Sequence, residues 1–129
     1  MAEFSIKRKV NLSYEEAEKK IREALAEEGF GILTEIDVKA TLKKKLDKDF
    51  RKYIILGACN PPYAYRALTI EPEIGVFMPC NVLVYENEDG TTTVSAMDPV
   101  AAMEVVANPE LNELAREIKE KIERALNSI

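Results

Sequence analysis

Cys80-Asn81-Val82-Leu83-Val84-Tyr85-Glu86-Asn87-Glu88-Asp89-Gly90-Thr91-Thr92-Thr93-Val94-Ser95-Ala96-Met97 is the stretch whose reading decides the fold. Cys80 to Glu86 and Thr91 to Met97 are rich in β-branched residues, and Asn87-Glu88-Asp89-Gly90 between them is a good hairpin loop. A hairpin makes its two strands antiparallel. Pairing outward from the turn with Glu86 opposite Thr91 puts Cys80 opposite or close to Met97. Asp98 then becomes a near neighbour of Cys80. Asp98-Pro99 starts a short helix over Val100 to Val106, with Asp as cap and Pro in the first turn.

Upstream, Lys52 to Ala58 is apolar on both faces, the pattern of a central strand covered on each side. Asn60-Pro61 is a second helix start, with Asn60 as cap, and the helix runs from about Pro62 to Ile70. Glu71-Pro72 ends it, and Ile74 to Met78 has no assigned element. Phe4, Ile6, Val10 and Leu12 alternate with polar residues as a half-buried strand, with Arg8 the exception on its apolar face. Ser13 and Glu16 form a capping box, and Tyr14, Ala17, Ile21, Ala24 and Leu25 make one helical stripe ending at Gly29. Gly31 to Ile36 is a further strand. Asp37 caps a short helix that buries Val38, Leu42 and Leu46. Downstream, Asn108-Pro109-Glu110 starts a last helix. Its continuous face, Leu111, Leu114, Ala115, Ile118, Ile122, Ala125 and Leu126, lies across the sheet. This order predicts a single α+β domain over 1–129, a mostly antiparallel sheet of about five strands with helices packed on it.

The chain has 129 residues, two cysteines and no histidine or tryptophan. Without histidine, serine–histidine and cysteine–histidine catalysis within one chain are excluded, as is a zinc site that needs imidazole. Two cysteines alone could hold soft Cu(I), whereas zinc would need carboxylates or a partner chain; no metal or cofactor is expected. With 18 basic and 23 acidic side chains the net charge is −5. The one basic cluster, Lys39, Lys43, Lys44, Lys45 and Lys48, reads as a solvated helix face, so no nucleic acid is expected. The apolar runs are too short to span a bilayer, and Met1 to Lys9 lack an apolar stretch after their basic residues; together these predict no membrane partner and a cytoplasmic protein. The Glu- and Lys-rich composition without Gln is mildly thermophile-like.

Any thiol chemistry must use Cys59 or Cys80, each followed by asparagine and tied to proline: Cys59-Asn60-Pro61-Pro62 and Met78-Pro79-Cys80-Asn81. Cys59 precedes a helix start, which favours a thiolate, but its apolar setting opposes one. If the two strands are antiparallel neighbours, both thiols come to one sheet edge. If they are parallel, the sulfurs sit on the order of 20 Å apart at ~3.3 Å per residue. Antiparallel pairing is the commoner arrangement. The plain alternative is that the cysteines are small buried hydrophobes and the asparagines and prolines are caps and turn formers. Glu35, Asp37 and Lys39 alternate near a strand end and could face a cleft, although a cap is the simpler role for Asp37. Arg66 could hold an anion or make a surface ion pair. Tyr63 and Tyr65 read as packing residues.

Gly31-Ile32-Leu33-Thr34-Glu35-Ile36-Asp37-Val38-Lys39, then Leu56-Gly57-Ala58-Cys59-Asn60-Pro61-Pro62 and Leu68, resembles the prokaryotic family catalogued as domain of unknown function 302. Pro72-Glu73-Ile74-Gly75, Met78-Pro79-Cys80-Asn81-Val82 and Ala96-Met97-Asp98-Pro99 are similar to it as well. The resemblance implies a compact α+β fold and a homodimer, with no activity or catalytic residues to carry over. The expectation is a small ligand-binding or accessory domain, with a candidate pocket around Cys59, Cys80 and Asp98 and with Asp37, Lys39, Asn60 and Asn81 as further ligand-binding candidates. A thiol-dependent redox protein or enzyme using Cys59 or Cys80, and a structural or interaction module, are the alternatives.

Overall fold

The hairpin sits in the middle of the molecule and the other strands are added on both sides of it. In the computed structural model, which describes residues 3–129, strands β1 (Ser5–Val10), β2 (Gly31–Asp37), β3 (Tyr53–Cys59), β4 (Cys80–Glu86) and β5 (Thr92–Met97) form one sheet in the order β1-β5-β4-β3-β2. Every neighbouring pair is antiparallel. The helices are α1 (Tyr14–Glu27), α2 (Val38–Leu46), α3 (Pro61–Ile70), α4 (Pro99–Val106) and α5 (Asn112–Asn127). Short 3-10 turns cover Pro72–Phe77, which takes in most of the unassigned stretch from Ile74 to Met78, and Pro109–Leu111.

The hairpin register differs by one residue from the expected one. Glu86 pairs with Thr92, not Thr91, and Val82 with Ala96. Gly90 takes a positive φ of 86°, so the turn closes as a three-residue loop with its last residue left-handed. Asn87 then joins the ladder, its N–H donating to the Thr91 carbonyl at 2.8 Å. The slip moves the β5 partner of Cys80 from Met97 to the position of Asp98.

Cross-strand partners share a face, and that rule separates a dry face from a half-wet one. Leu56, Val82, Val84, Val94 and Ala96 point toward α1 and α5 and are at most 2% exposed. Ala17, Ile21 and Leu25 of α1 and Ile122, Ala125 and Leu126 of α5 close over them. Each such aliphatic side chain contributes roughly 1.5–3 kcal/mol on burial, more than exposed ion pairs do, so the apolar stripes hold these helices down. Arg8 pairs with Val94 and therefore lies on this covered face, where its Nε is buried without a hydrogen-bond partner.

The opposite face is less covered than the apolar run of β3 suggests. Ile55 and Leu83 are a cross-strand pair there, half-buried, and Tyr53 stacks on Tyr85 at 5.2 Å. Helix α2 packs near β2 and β3 but buries none of its residues, and Leu46 is 62% exposed. With nine residues and four exposed lysines, α2 rests on the sheet margin; only Val38 and Leu42 of its expected stripe are half-buried. Tyr65, expected to pack, is 74% exposed.

Candidate functional site

The strand ends, helix starts and turns at one end of the sheet line a partly open cavity. β3 and β4 are antiparallel with Ala58 opposite Cys80, so Cys59, one residue on, reaches the sheet edge at which Cys80 begins. Both thiols are free and half-buried, and both line an apolar cavity of about 70 Å3. One water needs roughly 10–15 Å3 by this kind of measure, so the space takes a few atoms and not a nucleotide. Its walls come from two hydrophobic clusters: Phe30 and Ala58 belong to the main core, and Ala67, Ile74, Leu111 and Leu114 to a satellite core under α3, α4 and the start of α5. The cavity is the seam between them.

Its lining is apolar and uncharged. No Asp, Glu, Lys or Arg lines it; the polar contributors besides the thiols are Asn60 and the Tyr63 hydroxyl. Burial pushes the Cys80 thiol up to about 11, and the nearby Cys59 adds to the shift. Desolvation penalises the charged form, so Cys80 is a thiol at neutral pH. The Tyr63 hydroxyl donates to Glu117 Oε1 at 3.4 Å, and Arg66 lies over the Tyr63 ring rather than in an ion pair.

Asn60 is 8% exposed and does not cap α3 with its side chain. Its Nδ2 instead donates to the Glu28 carbonyl at 3.1 Å, tying the end of β3 to the end of α1. That carbonyl belongs to a helix end, where backbone acceptors lack intrahelical partners. Asn60 thus satisfies a distant helix end while lining the cavity, a role no local pattern encodes.

Asp98 lies beside the cavity without lining it. Its carboxylate accepts from the Val100 and Ala101 N–H groups and pairs with Lys119 Nζ at 2.9 Å. The hydrogen bond to Asp98 holds the Lys119 ammonium above its usual range. Asp98 is thereby committed to capping α4 and anchoring α5, while its neighbours Met97 and Pro99 form part of the wall.

The remaining sequence candidates are elsewhere. Asp37 pairs with Ile54 at the far end of the sheet, where its carboxylate caps α2 by accepting from the Ala40 N–H at 2.9 Å. Lys39 donates to the Phe50 carbonyl at 2.7 Å. Glu35 pairs with Arg22 at 2.6 Å. Asn81 is exposed on the less covered face, opposite Gly57. Sequence reasoning missed Met78, Met97 and Met103, all of which line the cavity. Met78 and Met97 each flank a motif already singled out, and that adjacency was the available signal.

The chain matches the family model described as "Domain of unknown function DUF302" over residues 6–129. It belongs to that family. A solved structure from Bacillus stearothermophilus, titled an uncharacterized conserved protein DUF302, is similar to it at 31% identity. The alignment covers 98% of each chain with a TM-score of 0.91. No curated protein matches it. Among the described residues of this DUF302 protein, no helix is long and apolar enough to cross a membrane. None of its Cys, Asp and Glu residues described there form a group of three or more that could hold a metal ion.

Proposed function

We propose that this DUF302 chain is a small ligand-binding domain whose site is the apolar cavity at Cys59 and Cys80. One observation carries this: the two cysteine motifs, more than twenty residues apart in the chain, both contribute to the wall of one cavity at a seam between two cores. Ligand sites are characteristically apolar hollows with few polar groups, and here Asn60 and Tyr63 fill the polar part. The raised pKa of Cys80 weighs against the alternative in which that thiol acts as a ready thiolate in redox or covalent chemistry.

Xenon is a suitable probe, because small dry cavities take it up. Amide NMR under xenon pressure is expected to show shifts confined to residues 58–67, 78–80 and 97–103. Enlarging Ala115, which lines the cavity, to leucine should remove them. Shifts scattered over the surface, or none, would refute the reading.

A second reading, self-association, has its own observation. The less covered face carries half-buried Ile55, Leu83, Tyr53 and Tyr85 beside Ile36, which is 49% exposed. A second copy laid on this face would cover them and make the protein a homodimer. Sedimentation equilibrium is expected to give a dimer that Ile55→Lys converts to monomer; a wild-type monomer at high concentration would end this reading.

A further inference from the structure

Sulfur is distributed unevenly in this protein. The chain has four methionines and two cysteines. Met1 lies outside the described residues, and the other five, Cys59, Met78, Cys80, Met97 and Met103, all line this cavity. They come from four segments: the end of β3, the two sides of Pro79, the end of β5 and the middle of α4. Methionine and cysteine often serve as adaptable apolar filler. Met78 and Met103 do pack against the satellite cluster, yet the larger main core contains neither residue type.

Soft thiolate and thioether donors select soft cations, whereas carboxylate and carbonyl oxygens suit hard ones. No carboxylate lines this cavity. Zinc would find two thiols and no further customary ligand. The Asn60 amide nitrogen is already engaged with Glu28 and the Tyr63 hydroxyl with Glu117. Sulfur is the abundant donor.

We propose that the cavity binds one soft monovalent cation of the Cu(I) class through a sulfur-only shell drawn from Cys59, Cys80, Met78, Met97 and Met103. The proposal rests on the reading of this cavity as the ligand site and names its ligand class. On binding, one cysteine S–H bond breaks, a sulfur–metal bond forms, and the proton leaves to solvent; no electron is transferred. A coordinating metal itself drives off the thiol proton, so a thiol that is protonated in the empty cavity is still a ligand. One thiolate with a monovalent cation gives a neutral complex, and neutral thioethers complete the shell without burying net charge.

The test is anaerobic competition of the full chain against the colorimetric Cu(I) chelator bicinchoninate. One Cu(I) per chain is expected to leave the chelator, and X-ray absorption should show sulfur neighbours only. Met97→Leu with Met103→Leu, which keeps volume, should weaken binding at least as much as loss of an outer-shell partner does, roughly 10–100-fold. Cys59→Ala with Cys80→Ala should abolish the competition while thermal melts and xenon shifts report an intact fold and cavity. A nitrogen or oxygen shell, or Cu(I) retention by the double cysteine variant, overturns the proposal. Failure of the wild-type chain to compete also overturns it: if xenon still enters, the ligand-site reading survives alone, and if xenon also fails, both fall.

Discussion

The two ends of the sheet are built from different chemistry. At the end where β3 stops and β4 starts, five sulfur-bearing side chains meet apolar walls and no charged group lines the space. At the opposite end, Lys52 pairs with Glu15 at 2.8 Å, Lys9 with Asp89 at 2.7 Å and Lys43 with Asp47 at 3.0 Å, all exposed to solvent. The first end is held mainly by burial, which acts wherever atoms pack and does not depend on salt, with the Asp98–Lys119 pair at its margin. The second is held by contacts that water and ions screen. A polar motif at the wet end is therefore fully explained by capping and pairing, whereas a thiol at the dry end needs a reason to be there.

The largest effect that separates the ends is expected from packing. Leu111→Ala removes a side chain 2% exposed between the cavity and α5 and should cost ~2–5 kcal/mol in urea unfolding. Leu46→Ala, at the wet end, should change stability by less than about 0.5 kcal/mol. Equal costs would mean that α2 is docked as firmly as α5.

Next come the two aspartate caps. Asp98 accepts from two backbone N–H groups and pairs with Lys119, whereas Asp37 accepts from one. Asp98→Ala is expected to cost ~1–2 kcal/mol and Asp37→Ala nearer ~0.5–1 kcal/mol. Asp98→Asn, which keeps a capping oxygen, should recover most of the difference. An Asp98→Ala protein as stable as wild type would remove the anchor between α4 and α5.

The last effect appears only above about pH 9 and is a pH dependence centred on the dry end. Cys80 keeps its proton in the folded protein up to about 11, against an ordinary thiol value of 9.0. Below pH 9 both states are protonated and the shift has no effect. As pH rises from about 9 to 11 the unfolded chain gives up this proton first, so stability falls across that window. Cys80→Ala should flatten the fall, as read from urea midpoints. Tyr14, which burial raises to about 12, continues the decline at higher pH in both proteins. An unchanged slope in the variant would show that Cys80 is not desolvated.

What was legible in the sequence was local. Period-two runs, the Asp37, Asp98 and Asn108 caps and the 3.6-residue stripes of α1 and α5 depend on neighbours in the chain, and they located the five strands and most helices. The hairpin slipped by one residue because loop length turned on whether Gly90 or Asn87 closed the turn, a choice made by one backbone angle. The exposure of α2 depended on how far a nine-residue helix reaches over the sheet. At the site, Cys59 and Cys80 were found because they are rare residues at strand ends. Met78, Met97 and Met103 were not, because a methionine carries no pattern of its own and the four contributing segments meet only once β3, β4 and β5 pair. Asn60 looked like a cap because it precedes proline, but its amide serves a helix end thirty-two residues away.

Gly57 extends the comparison to inheritance. It lies opposite Asn81, and a Cβ there would run into the Thr34 hydroxyl and come within 2.7 Å of Pro79 Cγ. Pro79 separates Met78 from Cys80, so a single missing methyl group on one face of the sheet lets the chain cross close enough to deliver two sulfurs to the other. In a saturation library, position 57 should then admit almost no substitution, while Asn81 across the ladder tolerates many. Descendants of this protein could exchange the charges at the wet end freely, but they would lose the sulfur cavity through a change that touches none of its sulfurs.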